Sequence, residues 1–373
     1  MRVLHCIYSL SGAGAELQMR MLTAELSRRG YDVDIAFVYQ NEDWMSCRYQ
    51  SASIHLHRLG SGGKPHLGLL RQIVRLVRTL EPEVIQTWLP PMDLLGGIAA
   101  RLTGAPWVLR EASSKSCYRG SWKEVIRTSL ARNRAIIVSN SRGGDDYWRT
   151  RAPKNLRLMA PNGLPLNEIR AARPIARAQL GVPEDAGLVL YVGRLEALKN
   201  LDQVIRALET ANHTRRVYGV LCGVGQEEER LKALAQRNGL AERIRFAGWA
   251  FDPFSYMKAA DVLVHFSDYE GRPNSVLEAM ACGCPVIVSD IPAHREFLDE
   301  QSAVFVPQAE EQRLAEAILE ALAGPEAARR RAAVAMARAQ QWTIGATADV
   351  FERAYSTATR KDAGLRRVGA ESY

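Results

Sequence analysis

Two glutamates stand eight positions apart in the stretch YEGRPNSVLEAMACGCPVIVSD, residues 269–290. Glu270 precedes a short helical pattern, and Glu278 lies inside it. A helix that begins near Asn274 presents free backbone amides to an anion. A carboxylate beside those amides can accept hydrogen bonds from sugar hydroxyls. The alternative for Glu278 is structural, because Ser275 and Glu278 have the spacing of a capping box. That alternative leaves Glu270 unexplained.

Two cations follow an apolar segment earlier in the chain. In LYVGRLEALKNLDQVIRAL, Arg194 comes directly after Gly193 at the end of a predicted strand, and Lys199 precedes a helical pattern. Positive charges beyond a strand end suit a diphosphate, which arginine can bind through two parallel hydrogen bonds. Two solvated surface cations are the alternative interpretation.

A glycine turn near the start has a similar position. Gly12 and Gly14, in SLSGAGAELQ, follow the first predicted strand and precede a helix, where backbone amides commonly hold phosphate. The dinucleotide fingerprint GxGxxG is incomplete, because Leu17 stands where its third glycine belongs. Tight packing of the turn explains the two glycines equally well.

These candidates need elements that hold them in place, and the chain supplies two series of strands alternating with helices. The first half contains RVLHCIY, DVDIAFVY, SIHLHRL, EVIQTWL, WVLREAS, AIIVSNS and LRLMAPN. After a polar stretch near 167–185 come GLVLYVG, YGVLCGVG, RIRFAGW, VLVHFSD, PVIVSD and AVFVPQ. Strands alternating with helices imply parallel sheets. The sequence therefore predicts an α/β protein with two doubly wound Rossmann-like domains facing a central cleft, and ligands beyond the carboxyl ends of the strands.

Composition narrows the class of protein. The chain has 373 residues, a net charge of +8 and six scattered cysteines, without the spacing of a zinc site. Because no apolar run approaches eighteen residues, we expect no membrane span. The opening RVLHCIYSL fits a buried strand better than a secretion signal, so the expected location is the cytoplasm. Asp32 and Asp34 alternate with apolar residues of a strand, and we predict no metal site there.

Two segments combine arginine with apolar residues. Arg71, Arg75 and Arg78 flank a helical apolar pattern, and YRGSWKEVIRTSLARNR repeats the mixture around Trp122. Such segments suit an anionic membrane surface or a phosphorylated substrate, although solvated helix faces explain either one alone. No recognisable nucleic-acid-binding motif accompanies the charge, so nucleic acid is not an expected partner.

The segments GRLEALKN, CGVGQEEERL and EGRPNSVLEAMACGCPVIVSD together resemble the second domain of family 4 glycosyltransferases. SGAGAELQMRMLTAELSRRGYDVDIA and LMAPNGLPL extend the resemblance to the first half. These enzymes are retaining, use nucleotide sugars and have the two-domain GT-B fold. The resemblance implies an acceptor-binding domain at 1–166 and a donor-binding domain at 167–345. It also implies a terminal helix at 346–373 that packs back on the first domain and ends in a charged tail.

The resemblance also implies roles for matching residues. Arg194 and Lys199 would neutralise the donor diphosphate. Glu270 would contact the transferred sugar, and Glu278, its partner in the family's EX7E motif, the ribose. The other donor-binding positions would be Gly12, Gly14, Gly193, Asn274, Ser275 and Val276. Many relatives carry a histidine where this chain has Arg110 and Glu111, so we expect these two residues on the acceptor side.

The implied activity is transfer of a sugar from a nucleotide-diphosphate sugar, with UDP as the expected nucleotide. The acceptor would be a glycan or a polyprenyl-diphosphate-linked saccharide used in bacterial surface polysaccharide assembly at the inner face of the cytoplasmic membrane. No metal or other cofactor is expected beyond the nucleotide-sugar co-substrate. A non-catalytic nucleotide-sugar-binding protein and a nucleotide-sugar epimerase are the alternatives.

Overall fold

The computed structural model describes residues 1–40, 54–60, 67–118 and 120–370. The chain divides into two compact units: Met1–Gly163 with Trp342–Tyr373, and Leu164–Gln341. The sequence places the boundaries after residues 166 and 345, and the acceptor-binding and donor-binding roles given to the two domains stay predictions.

Every strand expected from the apolar runs is present, and each unit contains one parallel sheet. The first sheet holds β1 Arg2–Cys6, β2 Asp32–Phe37, β3 Ile54–Arg58, β4 Val84–Trp88, β5 Trp107–Glu111, β6 Ala135–Ser139 and β7 Arg157–Met159. The second holds β8 Gly187–Val192, β9 Val217–Cys222, β10 Ile244–Gly248, β11 Val262–His265, β12 Val286–Ser289 and β13 Val304–Val306. A short parallel pair joins Ser9–Leu10 to Tyr39–Gln40.

Helices connect these strands. In the first unit they are α1 Gly14–Arg28, α2 Leu67–Leu80, α3 Leu89–Thr103, α4 Trp122–Ala131 and α5 Arg142–Arg151. In the second they are α6 Leu166–Ala171, α7 Leu201–Asn212, α8 Glu228–Arg237, α9 Pro253–Ala259, α10 Asn274–Cys282, α11 Pro292–Arg295, α12 Glu311–Ala323 and α13 Pro325–Ala339. Helix α14, Ile344–Ala370, closes the chain. Single 3-10 turns occur at Lys115–Cys117, Arg177–Leu180 and Ala197–Lys199.

The first sheet is covered on both faces, because successive side chains of a strand point to opposite sides. Val3 of β1 packs with α1 and α14, whereas its neighbour Leu4 packs with α2 and α3. Helix α14 belongs to this core through the fully buried Phe351 and Tyr355. The charged residues from Arg360 onward, which the sequence analysis assigns to a tail, continue this helix to Ala370.

Both sheets have the same strand order, which creates a switch point in each unit. The order is β3-β2-β1-β4-β5-β6-β7 in the first sheet and β10-β9-β8-β11-β12-β13 in the second. In the first sheet, strands are added on one side of β1 up to β3 and on its other side from β4 onward. In the second sheet, the same change of side occurs between β8 and β11. Ligands of doubly wound sheets bind in the crevice at this point, beyond the carboxyl ends of the strands. Among the described residues, no helix is both long and apolar enough to cross a bilayer.

Candidate functional site

The switch point of the second sheet brings together a lysine and a glutamate that are 71 positions apart in sequence. β8 and β11 are neighbouring strands; the loop after β8 carries Lys199, and the loop after β11 carries Glu270. The Lys199 ammonium donates a hydrogen bond to Oε1 of Glu270. Both side chains are nearly buried, with 10% and 13% of their surface exposed. Two of the three predicted catalytic residues therefore contact each other directly.

The charge of this lysine controls the ionisation of Glu270. Burial alone would raise the pKa of the carboxyl, because desolvation disfavours its charged form. The charge of the nearby Lys199 ammonium and the hydrogen bond that it donates outweigh that effect and lower the pKa of Glu270 to about 2. Glu270 is therefore an anion at every physiological pH. The Lys199 ammonium is paired with this carboxylate, and its contact with a donor diphosphate stays a prediction.

Arg194, the other predicted cation, lies on the same loop and is more exposed, at 58% of its side chain. Its guanidinium pairs with Glu196, and its contact with a donor diphosphate stays a prediction. The Tyr191 hydroxyl donates a 2.8 Å hydrogen bond to the Arg194 carbonyl and so holds the loop. This leaves an exposed guanidinium on a fixed backbone, paired with a half-buried carboxylate.

Two glycines allow the loops after β8 and β9 to touch. Gly193 has a φ of +156°, and a Cβ at this position would lie 2.7 Å from the Tyr191 hydroxyl. A Cβ on Gly223 would lie 1.8 Å from the Gly193 carbonyl oxygen, which is impossible without moving the backbone. Gly193 therefore has a structural reason for its position, whether or not it also approaches a donor.

Helix α10 begins at Asn274, as expected, with Pro273 as its N-cap and no side-chain cap hydrogen bond. The alternative of a capping box between Ser275 and Glu278 does not fit, because the helix begins two residues too early for Ser275 to be its N-cap. The amides of Asn274, Ser275 and Val276 form the first turn, where the helix dipole favours an anion. Their contact with a donor stays a prediction.

Glu278 has surroundings opposite to those of Glu270. Its side chain is buried on α10, and the residue is 4% exposed. Burial, and then the carboxylate of Glu168 on α6, raise its pKa to about 7. A buried carboxyl whose pKa lies near the ambient pH can gain or lose a proton when a ligand binds. Such raised values are typical of functional sites as well as of strained cores.

The glycine turn after β1 already holds an anion, and that anion is the protein's own. The carboxylate of Glu16 accepts hydrogen bonds from the backbone amides of Ser11 and Ala13, at 2.7 and 2.8 Å. The Ser9 hydroxyl donates to the same carboxylate. Gly12, with a φ of +90°, lets the turn wrap around this group. A phosphate beside Gly12 and Gly14 would face the Glu16 carboxylate, and the donor-binding role predicted for the two glycines stays a prediction.

The two residues predicted for the acceptor side are enclosed. Arg110 is 1% exposed, and it donates 2.8 and 2.9 Å hydrogen bonds to the carbonyl of Ala160 and to Oδ1 of Asn162. Glu111 is equally buried and accepts hydrogen bonds from Arg127 and from the Trp148 indole, both at 2.9 Å. These contacts give both residues a structural role. Direct contact with an acceptor would require their displacement.

Sequence reasoning missed three residues at or near the Lys199–Glu270 pair. His265 ends β11, with Nε2 at 3.6 Å from Oε1 of Glu270. The ring of His294 lies 5.3 Å from that of His265, and the Tyr191 ring stacks on His265 with the ring centroids 6.4 Å apart. The available signal was the position of His265 at the carboxyl end of a predicted strand. Among the described residues, no group of three or more His, Cys, Asp or Glu side chains could hold a metal.

Comparison with known proteins identifies the class. Residues 13–163 match the family model "Glycosyl transferase 4-like domain", and residues 172–338 match "Glycosyl transferases group 1". The solved structure of Anabaena HepE with UDP and glucose superposes with a TM-score of 0.84 at 21% identity, covering 96% of this chain and 100% of that one. WaaG, a glycosyltransferase involved in lipopolysaccharide biosynthesis, gives 0.76 at 16% identity, covering 96% and 99%. These likenesses show a GT-B fold.

Curated relatives agree with this class. The lipopolysaccharide core biosynthesis glycosyltransferase LpsE of Rhizobium meliloti is 27% identical, over 77% of this chain and 78% of its own length. The 2-deoxystreptamine N-acetyl-D-glucosaminyltransferase of Streptomyces fradiae is also 27% identical, over 87% and 86%. With both halves matched, the chain belongs to the GT-B glycosyltransferases that combine a 4-like domain with a group 1 domain.

Proposed function

We propose that this enzyme is a retaining, family 4 glycosyltransferase that moves a sugar from a UDP-sugar to a saccharide acceptor. The observation that carries the proposal is the Lys199–Glu270 contact at the switch point of the second sheet. There, a fixed anion can accept hydrogen bonds from sugar hydroxyls, while the adjacent ammonium, Arg194 and the α10 amides face the diphosphate. HepE, a structural neighbour, was solved with UDP and with UDP-glucose, which favours UDP as the nucleotide.

The proposed chemistry follows from where charge develops. The bond between the anomeric carbon and the diphosphate oxygen breaks, which leaves positive charge on the sugar and negative charge on the nucleotide. Preorganised positive groups around that oxygen lower the barrier. The acceptor hydroxyl then bonds to the anomeric carbon from the same face, and its proton passes to the departing phosphate. This route retains configuration without an enzyme nucleophile or a divalent metal.

The acceptor is proposed to be a glycan or a lipid-diphosphate-linked saccharide in surface polysaccharide assembly, bound by the first unit. The names of two relatives support this class of acceptor. One is LpsE, and the other is the O-antigen biosynthesis glycosyltransferase WclY of Escherichia coli, which is 30% identical over 46% of this chain. Helix α4 supports a membrane location, because it exposes apolar side chains and buries a charged one. Trp122 and Val125 are 68% and 63% exposed, while Arg127 is buried between Asp93 and Glu111.

The arginines of α2 strengthen the membrane proposal. Arg71, Arg75 and Arg78 are exposed, and α2 and α4 both pack against α3, so they flank the same helix of the first unit. Exposed aromatic and aliphatic groups beside cations suit the boundary of an anionic bilayer. We propose peripheral attachment to the inner face of the cytoplasmic membrane through these two helices.

A ligand panel tests the proposed function. The chain is heated with UDP-glucose, UDP-galactose, UDP-N-acetylglucosamine and GDP-mannose, and a true donor should raise the melting temperature because it binds only the folded state. The stabilising donor is then incubated with saccharide acceptors, and UDP release and the anomeric configuration of the product are measured. Binding without turnover would indicate a non-catalytic binder. An isomerised nucleotide sugar without UDP release would indicate an epimerase.

A further inference from the structure

The carboxylate of Glu270 is approached from the sheet side by a buried histidine. His265 is the last residue of β11 and is 1% exposed. Its Nε2 lies 3.6 Å from Oε1 of Glu270, the same oxygen that accepts the hydrogen bond from Lys199. Both contacts converge on Oε1, and neither uses Oε2. The two oxygens of this carboxylate therefore have different surroundings.

A second buried histidine supports the first. Nδ1 of His294 lies 2.7 Å from the Ser289 carbonyl oxygen, and because a carbonyl only accepts, Nδ1 must carry the hydrogen. The ring packs edge-on against His265, at an interplanar angle of 83°. The Ser289 hydroxyl also donates 2.9 Å to the carbonyl of Ser267. These bonds tie the end of β12 to the loop that leads from His265 to Glu270.

Both rings are neutral. Burial, and then the Lys199 ammonium, hold the pKa of His265 well below its ordinary value, and burial likewise lowers the pKa of His294. A neutral imidazole has one N–H and one bare nitrogen. The Glu270 carboxylate is an anion, so the His265 tautomer with the hydrogen on Nε2 is the favourable one. The histidine thus directs a dipole at Oε1 and adds no charge to the site.

We propose that His265 is a positioning residue for sugar transfer: it keeps Oε1 of Glu270 against Lys199, so that Oε2 remains directed to accept a hydrogen bond from a hydroxyl of the donor sugar. His294 holds the His265 ring in the orientation that this requires. The inference rests on the proposed function, and it concerns the sugar rather than the nucleotide. The role proposed for His265 therefore affects the affinity for a nucleotide sugar and leaves the affinity for the bare nucleotide unchanged.

Substitutions at His265 test the role of its Nε2–H. Glutamine can place an amide N–H close to the position of Nε2, whereas leucine fills similar space without a donor. We expect His265→Leu to bind UDP within about twofold of the wild type but to lose affinity for UDP-glucose and turnover by about 10- to 100-fold, the scale of a small misplacement at a reacting centre. His265→Gln should recover most of both losses.

A buried histidine outside this site provides the matched control. His5 of β1 is fully buried in the first unit and accepts a 3.2 Å hydrogen bond from the Trp88 indole. His5→Leu should lower the melting temperature without changing the ratio of UDP-glucose to UDP affinity. A His265→Leu variant that keeps the wild-type ratio and turnover would overturn this inference alone. A wild-type chain that binds neither UDP nor UDP-glucose would overturn the proposed function and this inference together.

Discussion

Glu270 and Glu278 lie eight positions apart in one short segment, yet their electrostatic surroundings are opposite. Burial opposes ionisation of both. The charge and the hydrogen bond of Lys199 reverse this effect for Glu270 and lower its pKa to about 2, whereas Glu168 adds to it for Glu278 and its pKa rises to about 7. One carboxyl is a permanent anion beside a cation; the other ionises near neutrality. The following predictions depend largely on that difference.

Removing Lys199 should damage both stability and turnover. Lys199→Met leaves Glu270 as a nearly buried, uncompensated charge, which costs on the order of 3 kcal/mol. The double variant Lys199→Met/Glu270→Gln should be more stable than Lys199→Met, because it removes that charge. Both should lose turnover by about 10²–10³. Denaturant titration and initial rates measure these effects, and additive losses of stability would contradict the pair.

The exposed pair of Lys232 with Glu228, at 2.8 Å on α8, is the matched control. Lys232→Met should change stability by less than about 1 kcal/mol.

The contribution of the Lys199–Glu270 pair to the free energy of unfolding should depend on pH in a defined direction. The folded-state pKa of Glu270 lies below its unfolded value of about 4.3, so the stabilisation is present above that pH and is lost as the pH falls toward 2.

Glu278→Gln should stabilise the unliganded protein at alkaline pH. The folded-state pKa of about 7 exceeds the unfolded value of about 4.3, so stability is highest with the carboxyl protonated and falls as the pH rises through this window. Gln mimics the protonated form. The variant should melt at a higher temperature than wild type at pH 8, and at a similar temperature at pH 4. Glu184→Gln, at an exposed position of the same unit, should show no such dependence.

The same glutamates should divide ligand binding between them. Glu278→Gln should weaken the affinity for free UDP, because a carboxylate accepts hydrogen bonds from the ribose hydroxyls better than an amide does. Glu270→Gln should leave UDP affinity close to that of wild type and reduce turnover, because the proposed contact of Glu270 is with the transferred sugar and not with the nucleotide. Calorimetric titration of both variants with UDP decides this, and equal UDP affinities would remove the ribose assignment.

Releasing Arg194 from its partner should improve diphosphate binding. Glu196→Gln removes the carboxylate that holds the guanidinium, and UDP affinity should rise by about two- to fivefold, because exposed ion pairs are worth about 1 kcal/mol or less. Arg194→Ala should fold normally and lose about 10²–10³ in turnover. Glu300→Gln, which breaks the exposed pair with Arg295, is the control and should not alter UDP affinity.

Activity should survive chelation. In the proposed mechanism, Lys199, Arg194 and the first-turn amides of α10 take the place of the positive charge that a divalent ion provides in other sites. Turnover measured in excess EDTA should therefore match turnover with added magnesium or manganese. Loss of activity in EDTA that manganese restores would show that these groups do not suffice.

Anionic vesicles should retain the protein in a salt-dependent manner. Each basic side chain near such a surface contributes about 1 kcal/mol, so Arg71→Gln, Arg75→Gln and Arg78→Gln together should abolish most sedimentation with phosphatidylglycerol vesicles. The control triple, also at exposed positions, is Arg329→Gln, Arg330→Gln and Arg353→Gln, which removes the same charge from other helices. Equal binding by both triple variants would contradict attachment through α2 and α4.

The sequence by itself determined the two parallel sheets and the location of the candidate site. Apolar, β-branched runs bounded by turn residues define strands locally, and alternation with helices leaves few arrangements other than doubly wound sheets. Arg194, Lys199 and Glu270 could be placed beyond strand ends for the same reason. Position along a strand is a local property, so a single segment is enough to predict it.

Only the tertiary structure decided which of these groups meet. The contact of Lys199 with Glu270 depends on β8 and β11 being neighbours, and strand order is set by the packing of whole helices against the sheet. The same packing places His265 behind Glu270, and Glu16 inside the glycine turn that otherwise looked ready for phosphate. Charge state follows contact and burial, neither of which a linear pattern of residues contains. Glu270 and Glu278 have the same ordinary pKa in an unfolded chain, about 4.3, and their values therefore separate only once the chain has folded around them.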